Sequence, residues 1–454
     1  MTTENQLTTQ PIPALIRQIG IPASIGYFFH TMYNVVDTYF GGLISTQALA
    51  SLSLSFPVFF IIIAMGTGIS SGTTALIANA LGAGKREEAG LLAVQGISFG
   101  LLSSILLTAL GLLISPSLFR MLGATEEYLA MALSYMNTIF YGTSLFVLVY
   151  MLNAVLTGLG ETRPFRNFLI VGFLMNILMD PWFIYGGLGV PAMGIAGVAI
   201  ATLLIELTGC VYLGRRALRS GLITTMDIKH MVPRMDAFVQ IAQQGFPATL
   251  NMMTVGIGIF VITYFVSQFG KEAVAAYGVA VRVEQMALVP TIGLNIATLT
   301  LVAQNNGARL FHRVGETLRT ALTYGGVVMA IGAAALLIGA RLLVSFFSED
   351  RAVLGIGAAY LRIDALALYA YVILFVNVAA LQGMKRPLFG LWIGLYRQIV
   401  APFIVFWFLT GVLGLGLLGI WWGIFAITWS AAAYSFFYTR RVLKRVSSPR
   451  DLSA

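Results

Sequence analysis

Charge is what this sequence has least of. Only 10% of its 454 residues are charged, 18 acids against 27 Lys and Arg, while 58% are hydrophobic. A soluble domain of this length needs far more charged side chains to cover its surface, so the chain is read as a polytopic membrane protein. Cysteine is almost missing as well. Cys210 stands alone in mid-span, which excludes an intramolecular disulfide and a thiolate-held metal. A cleavable leader is not evident: Met1 to Gln10 is polar, carries Glu4 and runs straight into a long apolar stretch. The first helix is therefore expected to stay in the mature protein.

What is present is a succession of apolar windows of the length needed to cross about 30 Å of hydrocarbon. Twelve are expected, near 13–40, 49–78, 91–114, 128–156, 167–187, 194–214, 239–266, 273–302, 316–345, 358–381, 391–413 and 417–439. The net charge of +9 could suggest a nucleic-acid partner, but its distribution argues otherwise. Alternate loops ("GKREE", "GETRPFRN", the stretch from Gly214 to Arg234, "GARLFHRVGE", "GMKRP") and the tail from Arg440 hold nearly all the Lys and Arg. The opposite loops hold only Arg120, Lys271, Arg341 and Arg351. By the positive-inside rule both termini are expected on the cytoplasmic side, so the basic balance is topological and no nucleic-acid role is expected.

The chain also repeats itself. At an offset of 225 residues, "IGIPASI" (Ile19 to Ile25) falls on "QGFPATL" (Gln244 to Leu250), and "DTYF" (Asp37 to Phe40) on "ITYF" (Ile262 to Phe265). Gly82 falls on Gly307, and near that offset "GETRP" falls on "GMKRP". Six spans per repeat give both halves the same orientation, which is the organisation of a two-lobed transporter. The expected division is a first lobe over 1–216, a linker over 217–238, a second lobe over 239–440 and a basic tail over 441–454.

The repeat singles out Asp37. Its twin is Ile262, with matching neighbours on either side, so the scaffold does not need the acid. A charged side chain at bilayer depth costs at least about 2.5–3.5 kcal/mol on insertion scales, and one that its own twin dispenses with is a candidate for function. The other deep acid of the first half is Asp180, with Asn176 one helical turn before it and Pro181 directly after it, where a backbone donor is lost. Asp37, Asn176 and Asp180 make an expected oxygen cage, to which Thr202 of span six adds a hydroxyl and along whose face Glu206 lies one turn further. No Lys or Arg sits at mid-depth in these six spans. Two desolvated acids without a counter-ion would hold a proton or bind a cation such as Na⁺. Pro22 interrupts span one about four turns before Asp37 and is expected to make it a hinge.

In order and at these spacings, the "GIP" kink, the acid in "VVDTYF", "LGAGK" after span two, "TGLGETRP" after span four and "NILMDP" in span five resemble the multidrug and toxic compound extrusion (MATE) family, and its DinF-like branch in particular. The resemblance covers almost the whole chain. It implies an all-α, V-shaped fold of twelve transmembrane helices in two six-helix lobes. It also implies efflux of amphiphilic organic cations in exchange for H⁺ or Na⁺ across the inner membrane, by a monomer that needs no cofactor beyond the coupling ion and is not an enzyme. The branch's cation site maps onto Asp37, Asn176, Asp180 and Thr202, and its polar cavity residues onto Tyr135 and Asn153. The NorM-like branch keeps acids in spans seven and ten, where this chain has Val255 and Tyr371, which argues against a site in the second lobe.

Other signals are set aside. "GLGLLG" (Gly414 to Gly419) has dinucleotide-fingerprint spacing but joins two apolar spans with no strand before it. His30, two turns before Asp37, is placed with the cavity residues, where it either relays protons or packs as a hydrogen-bonded core histidine. Arg282 and Glu284, two apart, do not face each other. Asp364 is expected near the outer end of span ten, and Arg397 is expected to snorkel toward the cytoplasm. A lipid-linked oligosaccharide flippase of the same superfamily is the alternative function, though anionic headgroups would favour Lys or Arg where the first lobe has acids. An intramembrane aspartyl protease would need a "GxGD" motif, which is absent, and gives no reason for a six-span repeat.

Overall fold

The computed structural model describes residues 5–223 and 230–447; residues 224–229 of the expected linker and 448–454 of the expected tail lie outside the described residues. Everything long in it is helix. The first repeat consists of Ile12–Ile44, Thr46–Gly82, Arg86–Met121, the pair Glu126–Tyr141 and Thr143–Gly158, then Arg163–Tyr185 and Ile195–Arg219. The second consists of Met235–Ser267, Lys271–Gly307, Phe311–Ser345, the pair Arg351–Ala365 and Leu368–Gly383, then Leu388–Val412 and Gly416–Val446.

Among the described residues nine of these helices are long and apolar enough to cross a membrane, and eleven spans result when each bent pair is counted as one. The twelfth, Ile12–Ile44, is 33 residues long but falls outside that set. It carries Arg17, Gln18, His30, Asn34 and Asp37, and these polar residues dilute its hydropathy. The fold is all-α, as expected.

The repeat runs deeper in the structure than in the letters. Helices beginning at Thr46, Arg86, Thr143 and Arg163 are answered by helices beginning at Lys271, Phe311, Leu368 and Leu388, each 225 residues later. The helix ends depart from that offset by two residues at the first span, where Ile12 is answered by Met235, and by four at the last, where Ile195 is answered by Gly416. The loop before Ile195 is the longer one and contains Pro191 to Gly194, the extra residues that shift it. Spans four and ten break at matching places, with bends of 46° and 53°. At the first break Gly142 leaves room for Leu203, whose side chain a Cβ there would overlap.

Contacts divide the chain into two compact units, Ile25–Thr249 and Met1–Ser24 with Leu250–Ala454. These boundaries differ from the expected lobe boundaries at 216 and 239. The reason is physical: the beginning of each repeat's first helix packs within the other unit. In the first unit, Ala237 and Ile241 are buried in the core, Phe238 and Phe246 pack edge-on against Phe99, and a Cβ on Gly245 would lie only 3.1 Å from Ile69 Cα. In the second unit, Ile12, Leu15, Ile16 and Ile19 are buried in the core, Ser24 Oγ donates to the Pro290 carbonyl at 3.4 Å, and Asn5 Nδ2 donates to Gln304 at 2.7 Å. Both boundaries fall two residues after a helix-interior proline, Pro22 and Pro247. Each proline removes one ladder hydrogen bond at the point where the helix changes its packing partners.

Candidate functional site

The first unit brings three of the expected cation ligands together. Asn176 Nδ2 donates to Asp37 Oδ1 at 2.8 Å. Asn176 and Asp180, one turn apart on the helix Arg163–Tyr185, are both fully buried. The Asp180 carboxyl lies close enough to Asp37 and Asn176 for each to act on the other's charge. Both Asp180 oxygens and Asn176 Oδ1 nevertheless have no hydrogen-bond donor. Two carboxylates cannot bond to each other unless a proton or a cation lies between them, and a buried acceptor left without a donor costs about 1–3 kcal/mol. Among the described residues no Lys or Arg pairs with either acid; the ion pairs found are Lys85–Glu88, Arg234–Asp236 and Lys271–Glu272.

Thr202 stands beside this group rather than on Asp37. Its hydroxyl donates to the Val198 carbonyl at 3.0 Å and accepts from Tyr33 OH at 3.1 Å. Tyr33 was missed in the sequence, although it lies one turn before Asp37 on the same face, and it feels the charges of Asp37, Asp180 and Glu206. Tyr135, expected in the cavity, is buried and lies within the field of Asp37 and Asp180. Asn153 is buried on the other half of span four, where its Oδ1 accepts from Thr157 one turn on. His30 packs its ring edge-on against Tyr27 at 6.1 Å, and its carbonyl accepts from Asn34. Pro22 lies inside the continuous helix Ile12–Ile44.

A second group of buried acids, which the sequence did not reveal, lies in the second unit. Glu284 accepts a short hydrogen bond from Tyr360 OH, and Tyr371 OH reaches Asp364 Oδ1 at 3.5 Å. Asp364 sits at the end of Arg351–Ala365, at the break in the middle of span ten, and is 3% exposed, so its expected place near the outer end of that span is corrected. Arg397 does not snorkel away either. Its guanidinium lies 5.2 Å from the centre of the Tyr371 ring and within Coulomb range of Glu284 and Asp364. It sits in a π-turn, Tyr396–Val400, shortly before Pro402, which withdraws the N–H that the Gln398 carbonyl would accept in a regular helix. Tyr277 and Trp421 close the group off with stacked and edge-on rings.

Chemically, the first unit offers carboxylate, amide and hydroxyl oxygens. These are hard donors suited to a proton or an alkali or alkaline-earth cation and unsuited to soft metals. Among the described residues no three His, Cys, Asp or Glu gather as a transition-metal site would require.

The MatE family profile matches residues 22–182 and 247–408, one stretch in each repeat. A "FAD transporter" of Shewanella oneidensis is 28% identical over 88% of this chain and 88% of its own length. A "Probable multidrug resistance protein NorM" of Thermotoga maritima is 26% identical over 99% of this chain and 97% of its own. Among solved structures, a "multidrug resistance MATE family transporter of the MOP superfamily" in an outward-facing conformation superposes with a TM-score of 0.91 at 26% identity, covering 98% of this chain and 99% of that one.

Proposed function

The chain belongs to the MatE family, and from that premise we propose that it is an exporter of amphiphilic organic cations driven by an inward H⁺ or Na⁺ gradient. The observation that carries the reading is the uncompensated acid pair. Asp37 and Asp180 act on one another in the interior, Asp180 has no hydrogen-bond donor, and among the described residues no Lys or Arg pairs with either. Such a pair gains a favourable partner by taking up a proton or Na⁺ and loses it on release, so the ion can bias a two-state element. The element in question is the first helix, which carries Asp37 and contains Pro22, where one ladder hydrogen bond is missing. In this reading Asn176 orients Asp37, Tyr33 and Thr202 extend the polar path, and Tyr135, Asn153 and His30 belong to the cavity wall. The protein acts as a transporter, not an enzyme. It works as a monomer among lipids of the inner membrane, with both termini cytoplasmic, as the Lys and Arg distribution requires.

The relative described as a FAD transporter supports a second reading, an anionic dinucleotide as cargo. A pyrophosphate would call for Arg or Lys where the first unit presents Asp37, Asp180 and Glu206, so the cationic cargo is favoured. The test is transport by the purified protein in vesicles, with ethidium and FAD as alternative cargoes and with pH and Na⁺ gradients imposed separately. Ethidium export driven by one gradient and lost in Asp37→Asn supports the proposal. FAD export with ethidium ignored would overturn it.

A further inference from the structure

One half-buried acid of the first unit is not used by the acid pair. Glu206 lies on the helix Ile195–Arg219 one turn beyond Thr202, and its Oε2 is buried without a hydrogen-bond partner. The titratable groups that feel its charge are Tyr33 from span one, Tyr150 from span four and Cys210, one turn on in its own helix. Span five contributes Asp180 as its one acid, which acts on Tyr33 together with Asp37. Among these neighbours there is no Lys or Arg. Tyr33 therefore lies in the field of both the acid pair and Glu206, and its hydroxyl is already bonded to Thr202, one turn before Glu206, at 3.1 Å. The helix directions put the stations in order. Asp37 lies near the end of the first helix and Asp180 near the end of the fifth, while Thr202 and then Glu206 follow from the start of the sixth, which runs back the other way.

We propose that Glu206 is a second proton-carrying group of the first unit, exchanging its proton with the Asp37–Asp180 pair through the hydroxyls of Tyr33 and Thr202. The inference rests on the proposed coupling role of that pair and commits the coupling ion, on this path, to H⁺. The transfer balances as a relay. A protonated carboxyl of the pair gives its proton to the Tyr33 oxygen as the Tyr33 hydroxyl proton passes to Thr202. The Thr202 hydroxyl turns from the Val198 carbonyl and gives its own proton to the Glu206 carboxylate. The pair is left ionised, both hydroxyls are restored and Glu206 is neutral. An acid in this position gives the proton a resting place away from the pair, so that the pair can be emptied before the carrier reopens.

Two measurements on the purified protein test this. The first is infrared difference spectroscopy between acid and alkaline pH, which reads the carbonyl band of protonated carboxyl groups directly. The second is ethidium export from vesicles driven by a pH gradient, with ethidium affinity measured alongside. Glu206→Gln is expected to lose one titrating carboxyl band. It should also slow pH-driven export by at least about tenfold, as the loss of one positioned proton-transfer group does, with ethidium affinity unchanged and with recovery in Glu206→Asp. Tyr33→Phe should slow export in the same way while keeping every band. Glu206→Gln with the wild-type rate, pH profile and bands overturns the relay, and so does a variant that loses ethidium binding, which would make Glu206 a cargo contact. If Asp37→Asn itself exports at the wild-type rate, the coupling role of the pair fails instead, which separates the two failures.

Discussion

In the first unit no Lys or Arg among the described residues pairs with Asp37 or Asp180, whereas in the second Glu284 and Asp364 share their surroundings with Arg397 and two tyrosines. The scaffold around them is common to both. Tyr135 and Tyr360 are 225 residues apart, at the same repeat position just before a broken helix. The first stands in the field of the bare pair and the second donates to Glu284. The acids themselves come from different spans, one and five against eight and ten. A symmetric fold thus carries an asymmetric charge distribution, and the difference in counter-ion decides what each group can do. A pair without a cation changes its energy when an ion arrives, while a group with a built-in guanidinium is already largely held together.

The largest effect that would sharpen this comparison is expected from Asp37→Asn and Asp180→Asn. Each should cut gradient-driven ethidium export about 100-fold, the upper range of a typical coupling energy, while the thermal midpoint stays near wild type. The Ile262 twin shows that the scaffold tolerates a neutral residue at the Asp37 position. Next is Arg397→Met. It leaves Glu284 and Asp364 without their cation and is expected to cost about 3–5 kcal/mol of stability. Adding Asp364→Asn should restore most of the lost thermal midpoint, and no recovery in the double variant would break the claim that Arg397 acts by neutralising these acids. A smaller effect is expected from Pro22→Ala, which restores the ladder bond where the first helix changes units. Ethidium should still bind, but export should slow roughly tenfold, equivalent to about 1.4 kcal/mol. Smallest of all should be Asp364→Asn alone, with export within about threefold of wild type because the charge it removes is already opposed by Arg397.

The first of these groups was legible in the sequence and the second was not, for a definite reason. Asp37 stood out because the repeat supplied a neutral twin, and Asn176 and Asp180 fall one turn apart on one span, so helical spacing alone put them on one face. Glu284, Tyr360, Asp364, Tyr371 and Arg397 come from three spans, and only the pairs on span ten lie close in sequence. Nothing in local spacing joins Glu284 to Tyr360 across 76 positions, and an arginine near a helix end reads more naturally as a snorkelling residue. The helix content and the six-span repeat followed from hydropathy. The exchange of the first helices' beginnings between the units did not, because the helix pattern continues unbroken through Pro22 and Pro247 while the packing partners change.

The proposed seat of the coupling ion is the first unit. The direct test is the ion exchanged when cargo binds, read as protons released to a pH indicator, and as ²²Na⁺ displaced, on adding ethidium to purified wild type, Asp37→Asn and Asp364→Asn. Wild type and Asp364→Asn are expected to release ion in proportion to ethidium bound, and Asp37→Asn to release none. Release that persists in Asp37→Asn and vanishes in Asp364→Asn would contradict the account and move the coupling site to the second unit.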